Sequence, residues 1–332
     1  MRWLIFILFI GSLWGCKSAA SRQEAVEDMA FLAESESAAP GDVMTSEVLG
    51  NFDADSAYTY LAHQVDFGPR VPNTEAHRQA GDWLANELRR HGFAVTEQKA
   101  NLKAFDGTVL RARNIFGQIN PEAKERILLL AHWDSRPWAD QDPDPEKRTL
   151  HVEGANDGAS GVAVLLEIAR QLEVQPVKKG IDILFVDAED WGTEGDDDSW
   201  ALGTRYFVEH PPVKGYSPKE AILLDMVGGE DATFCREYFS ERSAPRLAEE
   251  IWQTASRLGY SKMFLNRLGS AITDDHVQLI AAGIPSIDII EYRPGPNGGF
   301  NPRWHTASDN LDGISKETLQ AVGETLLTYL SK

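Results

Sequence analysis

Two histidines and a set of acids fall at the ends of apolar runs. "AHWDS" carries His132 and Asp134, "FVDAED" carries Asp187, Glu189 and Asp190, "LLDM" carries Asp225, and "RWHT" carries His305. A fifth segment, "GANDGASG", puts Asp157 in a glycine-rich turn ahead of a helix. Imidazole nitrogens and carboxylate oxygens are donors that bind zinc, and a carboxylate left free beside such an ion can move protons. The stretch "ILFVDAEDWGTEGDDDSW" raises the question most sharply, because seven of the twelve residues from Asp187 to Asp198 are acidic. That many ionised carboxylates after an apolar run disfavour one another unless a cation sits among them or most of them face water. Singly, each feature has an ordinary reading: a histidine at a strand end can be purely structural, and Asp157 can cap the helix that starts at Ala159.

For these side chains to act together, the chain must bring them to one place. "RILLLAHWD", "IDILFVDAED", "EAILLDMVGG" and "IPSIDIIEY" are near-continuous apolar runs of the kind that form central strands buried on both faces. "TEAHRQAGDWLANELRRHG" has apolar residues at helical spacing (Ala80, Leu84, Leu88), with Gly92 where the helix would stop. Further helices are expected over "ASGVAVLLEIARQLE", "ALGTRYFVEH", "SAPRLAEEIWQTASRLG", "DDHVQLIAAG" and "SKETLQAVGETLLTYLS". "FAVTEQKA" and "VLRARNIFGQI" alternate as strands. Buried strands separated by helices predict a single α/β domain over residues 51–332, with a central, largely parallel mixed sheet flanked by helices. In such sheets ligands bind beyond the carboxyl ends of the strands, which is where the histidines and acids fall.

The N-terminus reads differently. "MRWLIFILFIGSLWGCKS" has Arg2 followed by an apolar run too short to span a bilayer, the pattern of an export signal. "LWGC" resembles the lipobox of bacterial lipoproteins, which makes residues 1–15 the signal and Cys16 the lipidated first residue of the mature chain. An ordinary secretory signal with an incidental cysteine is the alternative. Lys17 after the cysteine implies, by the same resemblance, an outer-membrane location. Residues 16–50 are rich in Ala, Ser and Glu and fit a tether between membrane and domain. With Cys16 acylated, Cys235 has no partner for an intramolecular disulfide, so the core must supply the stability. A formal charge of −19 repels phosphate backbones, which argues against nucleic-acid binding, and attracts substrates bearing a free amino group.

The ordered set "AHWDS", "GANDGASGVAVLLEIAR", "FVDAEDWG", "LLDMVG", "TDDH" and "RWHT" closely resembles the zinc-dependent aminopeptidase-like family and, within it, the glutaminyl cyclases of bacterial lipoprotein type. The resemblance implies one zinc per chain, held by Asp157, Asp190 and His305, with Glu189 as general base and acid. It implies that Asp225 and Asp274 share a hydrogen-bond network with Glu189, and that Trp304, with Phe300, walls a pocket for the glutamine side chain. His132 matches a position that binds a second zinc in aminopeptidases, and Asp134 stands beside it as a further ligand or a support. The implied partners are peptides or proteins with N-terminal glutamine, cyclised to pyroglutamate with release of ammonia, and the membrane is reached through the lipid only. Asp190 stands where animal cyclases carry glutamate, an oxygen donor in both cases.

Two other readings stay open on the sequence. A dinuclear zinc aminopeptidase would use His132 and Asp225 as ligands. A non-catalytic, peptide-binding surface lipoprotein would not need Asp157, Glu189, Asp190 and His305, all of which are present. Ser160 in "GASG" does not fit the Gly-x-Ser-x-Gly nucleophile elbow. Trp191 and Trp200 are each candidates either for lining the pocket or for packing, and Asp187 is expected to support the site from within.

Overall fold

The computed structural model describes residues 51–293 and 298–332, so the export signal, Cys16 and the tether lie outside the described residues. Six strands form one mixed sheet: β1 (Ala94–Lys103), β2 (Val109–Ile119), β3 (Arg126–His132), β4 (Gly180–Val186), β5 (Glu220–Asp225) and β8 (Ser286–Ile290), in the order β1-β2-β4-β3-β5-β8. The hairpin β1–β2 and the pair β2–β4 are antiparallel, whereas β4, β3, β5 and β8 run parallel. This is the predicted α/β architecture.

The four apolar runs became the parallel strands because both faces of each are covered. Along β3, Ile127, Leu129 and Ala131 face one core and Leu128 and Leu130 the other. The first core is closed by α1 (Ala54–Asp66), α3 (Ala159–Val174) and α8 (Lys316–Leu330), which contribute Leu61, Leu165 and Leu326. The second is closed by α4 (Leu202–Glu209) and α7 (Asp275–Ala281), through Phe207 and Leu279. Burying each such side chain stabilises the fold by about 1.5–3 kcal/mol. The helix α2 (Glu75–Arg90) starts where expected, with the Thr74 hydroxyl accepting from the His77 amide, and the chain turns out of it at Gly92 with φ 81°. A small parallel pair, β6 (Phe234–Arg236) and β7 (Phe264–Leu268), and the helices α5 (Tyr238–Ser243) and α6 (Pro245–Arg257) complete the described strands and α-helices.

Parallel register is what positions the chemistry. Leu130 pairs with Leu184 and Leu223, so His132 at the end of β3 stands level with Val186 of β4 and with Asp225 at the end of β5. The residues that follow these strands leave the same sheet edge.

Candidate active site and metal centre

Three of these ends converge on Asp157. Its turn is built by Gly158, whose φ of 95° is open to glycine and whose added Cβ would lie 2.7 Å from the Asp134 carbonyl oxygen and 3.0 Å from His132 Cε1. This close approach puts Asp157 Oδ1 3.0 Å from His132 Nε2, and the same nitrogen lies 3.2 Å from Asp225 Oδ1. The other oxygen, Asp157 Oδ2, lies 3.6 Å from His305 Nε2, which is itself 3.1 Å from Asp190 Oδ1. Two donor groups therefore share Asp157: Asp157, Asp190 and His305, and His132, Asp157 and Asp225, with the donor atoms of each group within 4.8 Å of one another.

Asp190 decides whether a cation fits. It is 1 % exposed and among the described residues neither carboxylate oxygen has a hydrogen-bond partner, although Oδ1 also lies 3.5 Å from Arg136 Nη1. Buried carboxylates are normally paired or bind metal, and tetrahedral zinc ligands at about 2.0–2.2 Å from the ion stand roughly 3.2–3.5 Å apart. The separations from His305 Nε2, 3.1 Å to Asp190 and 3.6 Å to Asp157, fall just either side of that range. Two carboxylates and an imidazole are suitable donors for zinc.

Surrounding groups hold the donors still. Asp134 accepts the amides of Glu189 and Asp190, both at 3.2 Å, which fixes the loop after β4. It lies 3.7 Å from His132 Nδ1, so it supports the loop more directly than it supports the imidazole. Asp309 accepts the amides of Asn156 and Asp157 at 2.8 and 3.0 Å. Arg136 donates to the carbonyls of Asp190 and Gly192, forks onto Asp140, and lies between the rings of Trp138 and Trp200. Asp140 Oδ1 stands 3.6 Å behind His305 Nδ1, placed to orient that ring. Ala188, Met226 and His305 all have φ near +50°, a strained conformation for non-glycine residues that costs on the order of 1–3 kcal/mol each.

Glu189 is buried and adjoins this set. Burial raises its carboxyl well above the ordinary range; His132 pulls the other way, and the charges of Asp274 and Asp190 push it further up. Burial and the Asp157 charge, opposed by the His132 hydrogen bond, bring Asp225 to about 6, and burial with the Asp225 charge brings Asp274 to about 7. Asp225 hydrogen-bonds His132, and Asp274 stands between the other two acids in charge, raising Glu189 and being raised by Asp225. Behind Asp274, His276 Nε2 lies 3.1 Å from Glu237 and Nδ1 3.7 Å from Asp288.

Glu189, Asp157, Asp225 and Asp274 line a cavity of about 380 Å³ whose apolar wall is Trp200, Trp304, Phe300, Tyr292 and Ile290. Trp304 stacks on His305 with ring centroids 3.8 Å apart, and Trp200 flanks the same imidazole at 6.0 Å. Trp191 instead packs with Ala104, Leu110 and Leu102. Asp187 faces the other way, bonding His77 and the amides of Arg113 and Ala188, and so anchors the turn that launches Glu189. Sequence reasoning missed Arg136, Asp140 and Asp309. No local pattern marks them.

Residues 114–330 match the model of peptidase family M28. The chain belongs to peptidase family M28. Among M28-like relatives, a solved glutaminyl cyclase from Bacteroides thetaiotaomicron, bound to N-acetylhistamine, is 49 % identical; the match covers 86 % of this chain and 99 % of that one, with a TM-score of 0.83. A solved Zn-dependent exopeptidase from Parabacteroides distasonis is 52 % identical over 86 % and 99 % of the two chains, with a TM-score of 0.84. Aminopeptidase YwaD of Bacillus subtilis is 28 % identical over 86 % of this chain, which spans 59 % of that relative's length. The M28 architecture thus accounts for the sheet, and the similar proteins include an aminopeptidase and, at about half identity, solved bacterial glutaminyl cyclases.

Proposed function

We propose that this M28 protein is a glutaminyl-peptide cyclotransferase, closing N-terminal glutamine to pyroglutamate with one zinc ion held by Asp157, Asp190 and His305. The observation that carries the reading is Asp190, buried without a hydrogen-bond partner among the described residues and with Oδ1 3.1 Å from His305 Nε2, next in sequence to a buried Glu189 of raised pKa on an aromatic-walled cavity. The second donor group supports one ion rather than two. Burial disfavours the charged His132, but the carboxylates of Asp134, Asp157 and Asp225 around its ring, the last two within hydrogen-bond reach of Nε2, outweigh it and raise its pKa well above the usual value. A charged His132, 3.0 Å from Asp157 and 3.2 Å from Asp225, would give these carboxylates a positive partner without a second ion.

Zinc, when bound, supplies a Lewis acid that polarises the side-chain amide carbonyl of glutamine. Glu189 takes a proton from the α-amine as its nitrogen bonds to the side-chain amide carbon. It returns that proton to the amide nitrogen as the old C–N bond breaks and ammonia leaves, a shuttle suited to a carboxyl of raised pKa. Because the attack is intramolecular, the remaining task is to hold the bent conformer, which the wall of Trp304, Phe300 and Trp200 can do. We also propose that residues 1–15 direct export and that Cys16 and residues 16–50 tether the enzyme to the cell envelope.

One observation favours a second reading, a dinuclear aminopeptidase: Asp157 offers one oxygen to each donor group. Ammonia release from a glutaminyl peptide, set against amino-acid release from leucyl and alanyl peptides with protein of measured zinc content, separates the two. Ammonia as the product at one zinc per chain supports the cyclase; free amino acids at two zincs per chain support the aminopeptidase.

A further inference from the structure

The four exposed acids that follow the site are not equivalent. Glu194 and Asp197 line the mouth of the catalytic cavity, whereas Asp198 points to Arg205 at 3.4 Å. Their positions are fixed by a turn. Thr193 donates its amide to Ser199 Oγ at 2.8 Å, that hydroxyl donates to the Asp196 carbonyl at 2.6 Å, and the Asp196 amide returns to the Thr193 carbonyl at 3.2 Å. The turn is set against the cavity wall by Gly192, where an added Cβ would lie 2.0 Å from Trp200 Cδ2. Glu194 accepts from Gln141 Nε2 at 2.8 Å, and among the described residues neither Glu194 nor Asp197 has an ion-pair partner.

The charge balance of the cavity is one-sided. Among the described residues that line it, six are acidic and none is lysine or arginine. Asp157 and Asp225 in the depth face His132 at 3.0 and 3.2 Å, whereas among the described residues the two acids at the mouth have no ion-pair partner. Asp274 lines the cavity; it is 4 % exposed, and its Oδ2 is buried and has no hydrogen-bond partner among the described residues. With a glutamine side chain in the aromatic depths, the peptide must leave through the mouth. Extended chain advances about 3.3–3.6 Å per residue, so the second and third residues pass the rim.

We infer that Glu194 and Asp197 make a selectivity rim that favours substrates with lysine or arginine at the second or third position and disfavours acidic residues there. The inference rests on the cyclase reading for what occupies the cavity. Charges at a partly solvated rim interact weakly and are screened by salt, so the expected preference is several-fold to about tenfold at low ionic strength.

The test compares amidated pentapeptides differing only in Lys, Ala or Glu after the N-terminal glutamine. Both kcat/KM for ammonia release and the dissociation constant for the zinc-loaded full chain are measured at low and high salt. The expected order is Lys, Ala, Glu, with the Lys-to-Glu ratio falling toward one in high salt and in the E194Q/D197N variant. A ratio near one in the wild-type protein, or a ratio unchanged by the double substitution, overturns the rim. Binding is read without turnover, so absence of ammonia from every peptide removes the cyclase reading, while the dissociation constants still decide the selectivity.

Discussion

At the scale of single residues, His305 and Trp304 separate metal binding from substrate binding. His305 contributes one nitrogen to the proposed zinc set, 3.1 Å from Asp190, so His305→Ala should leave protein that purifies without stoichiometric zinc. Metal analysis checks this, and retained zinc counts against the assignment. Trp304 touches the pocket and stacks on that imidazole but offers no donor to the ion. Removing one apolar wall of a small pocket costs about 1–3 kcal/mol, so Trp304→Ala should raise KM for glutaminyl peptides on the order of tenfold or more while zinc content stays. Unchanged KM would remove Trp304 from the pocket. The crowd of acids after β4 divides at this scale too: Glu189 and Asp190 face the site, Asp187 anchors their turn against His77, and the rest are exposed.

At the scale of elements, Asp134 ties β3 to the loop after β4. Asp134→Asn keeps the shape but leaves one of the Glu189 and Asp190 amides facing an NH2 group. Loss of a hydrogen bond to a charged group costs about 1–3 kcal/mol, so the urea midpoint should fall and turnover should drop, with the folded far-UV spectrum retained. A midpoint and a turnover both equal to wild type would show that Asp134 does not hold the loop. The elements themselves were largely legible in the sequence, because a strand buried on both faces must be apolar throughout, as β3, β4, β5 and β8 are. The three-residue strand β6 was not, since so short a segment has no period to read. Nor were Arg136, Asp140 and Asp309. Asp309 meets Asp157 across 152 residues of sequence, and Arg136 serves carbonyls of a loop 54 and 56 residues away. Such contacts exist only once the sheet brings distant strand ends together. Trp191 and Trp200 could not be told apart for the same reason, both being tryptophans on one acidic loop.

At the scale of the whole molecule, the site loads the fold with acids that prefer to stay protonated. Burial, with neighbouring carboxylates, raises Asp225 to about 6, Asp274 and Asp309 to about 7, and Asp275 to about 8, against an ordinary value of 3.8. Acids raised on folding bind more protons in the folded than in the unfolded state across that interval. The stability they allow is therefore present below pH of about 4 and is lost progressively as pH rises toward 8. A formal charge of −19 adds repulsion in the same direction. Metal-free protein should accordingly show a melting temperature that falls between pH 5 and pH 8, and zinc should restore much of the loss at the upper end, since a ligand of the folded state alone stabilises it. Scanning calorimetry of chelator-treated and zinc-loaded protein checks this. A melting temperature that rises with pH in the metal-free protein would contradict it.

The central claim is that Glu189 moves the proton while its neighbour Asp190 helps to hold the ion. Glu189→Gln tests it most directly, because glutamine keeps the shape and leaves Asp157, Asp190 and His305 untouched. Zinc content and ammonia release from a glutaminyl peptide are measured on the same preparation. The account predicts one zinc per chain and turnover reduced by at least about 10²-fold, the scale of a lost general acid–base group. Zinc lost from the variant, or turnover within a few-fold of wild type, would contradict it.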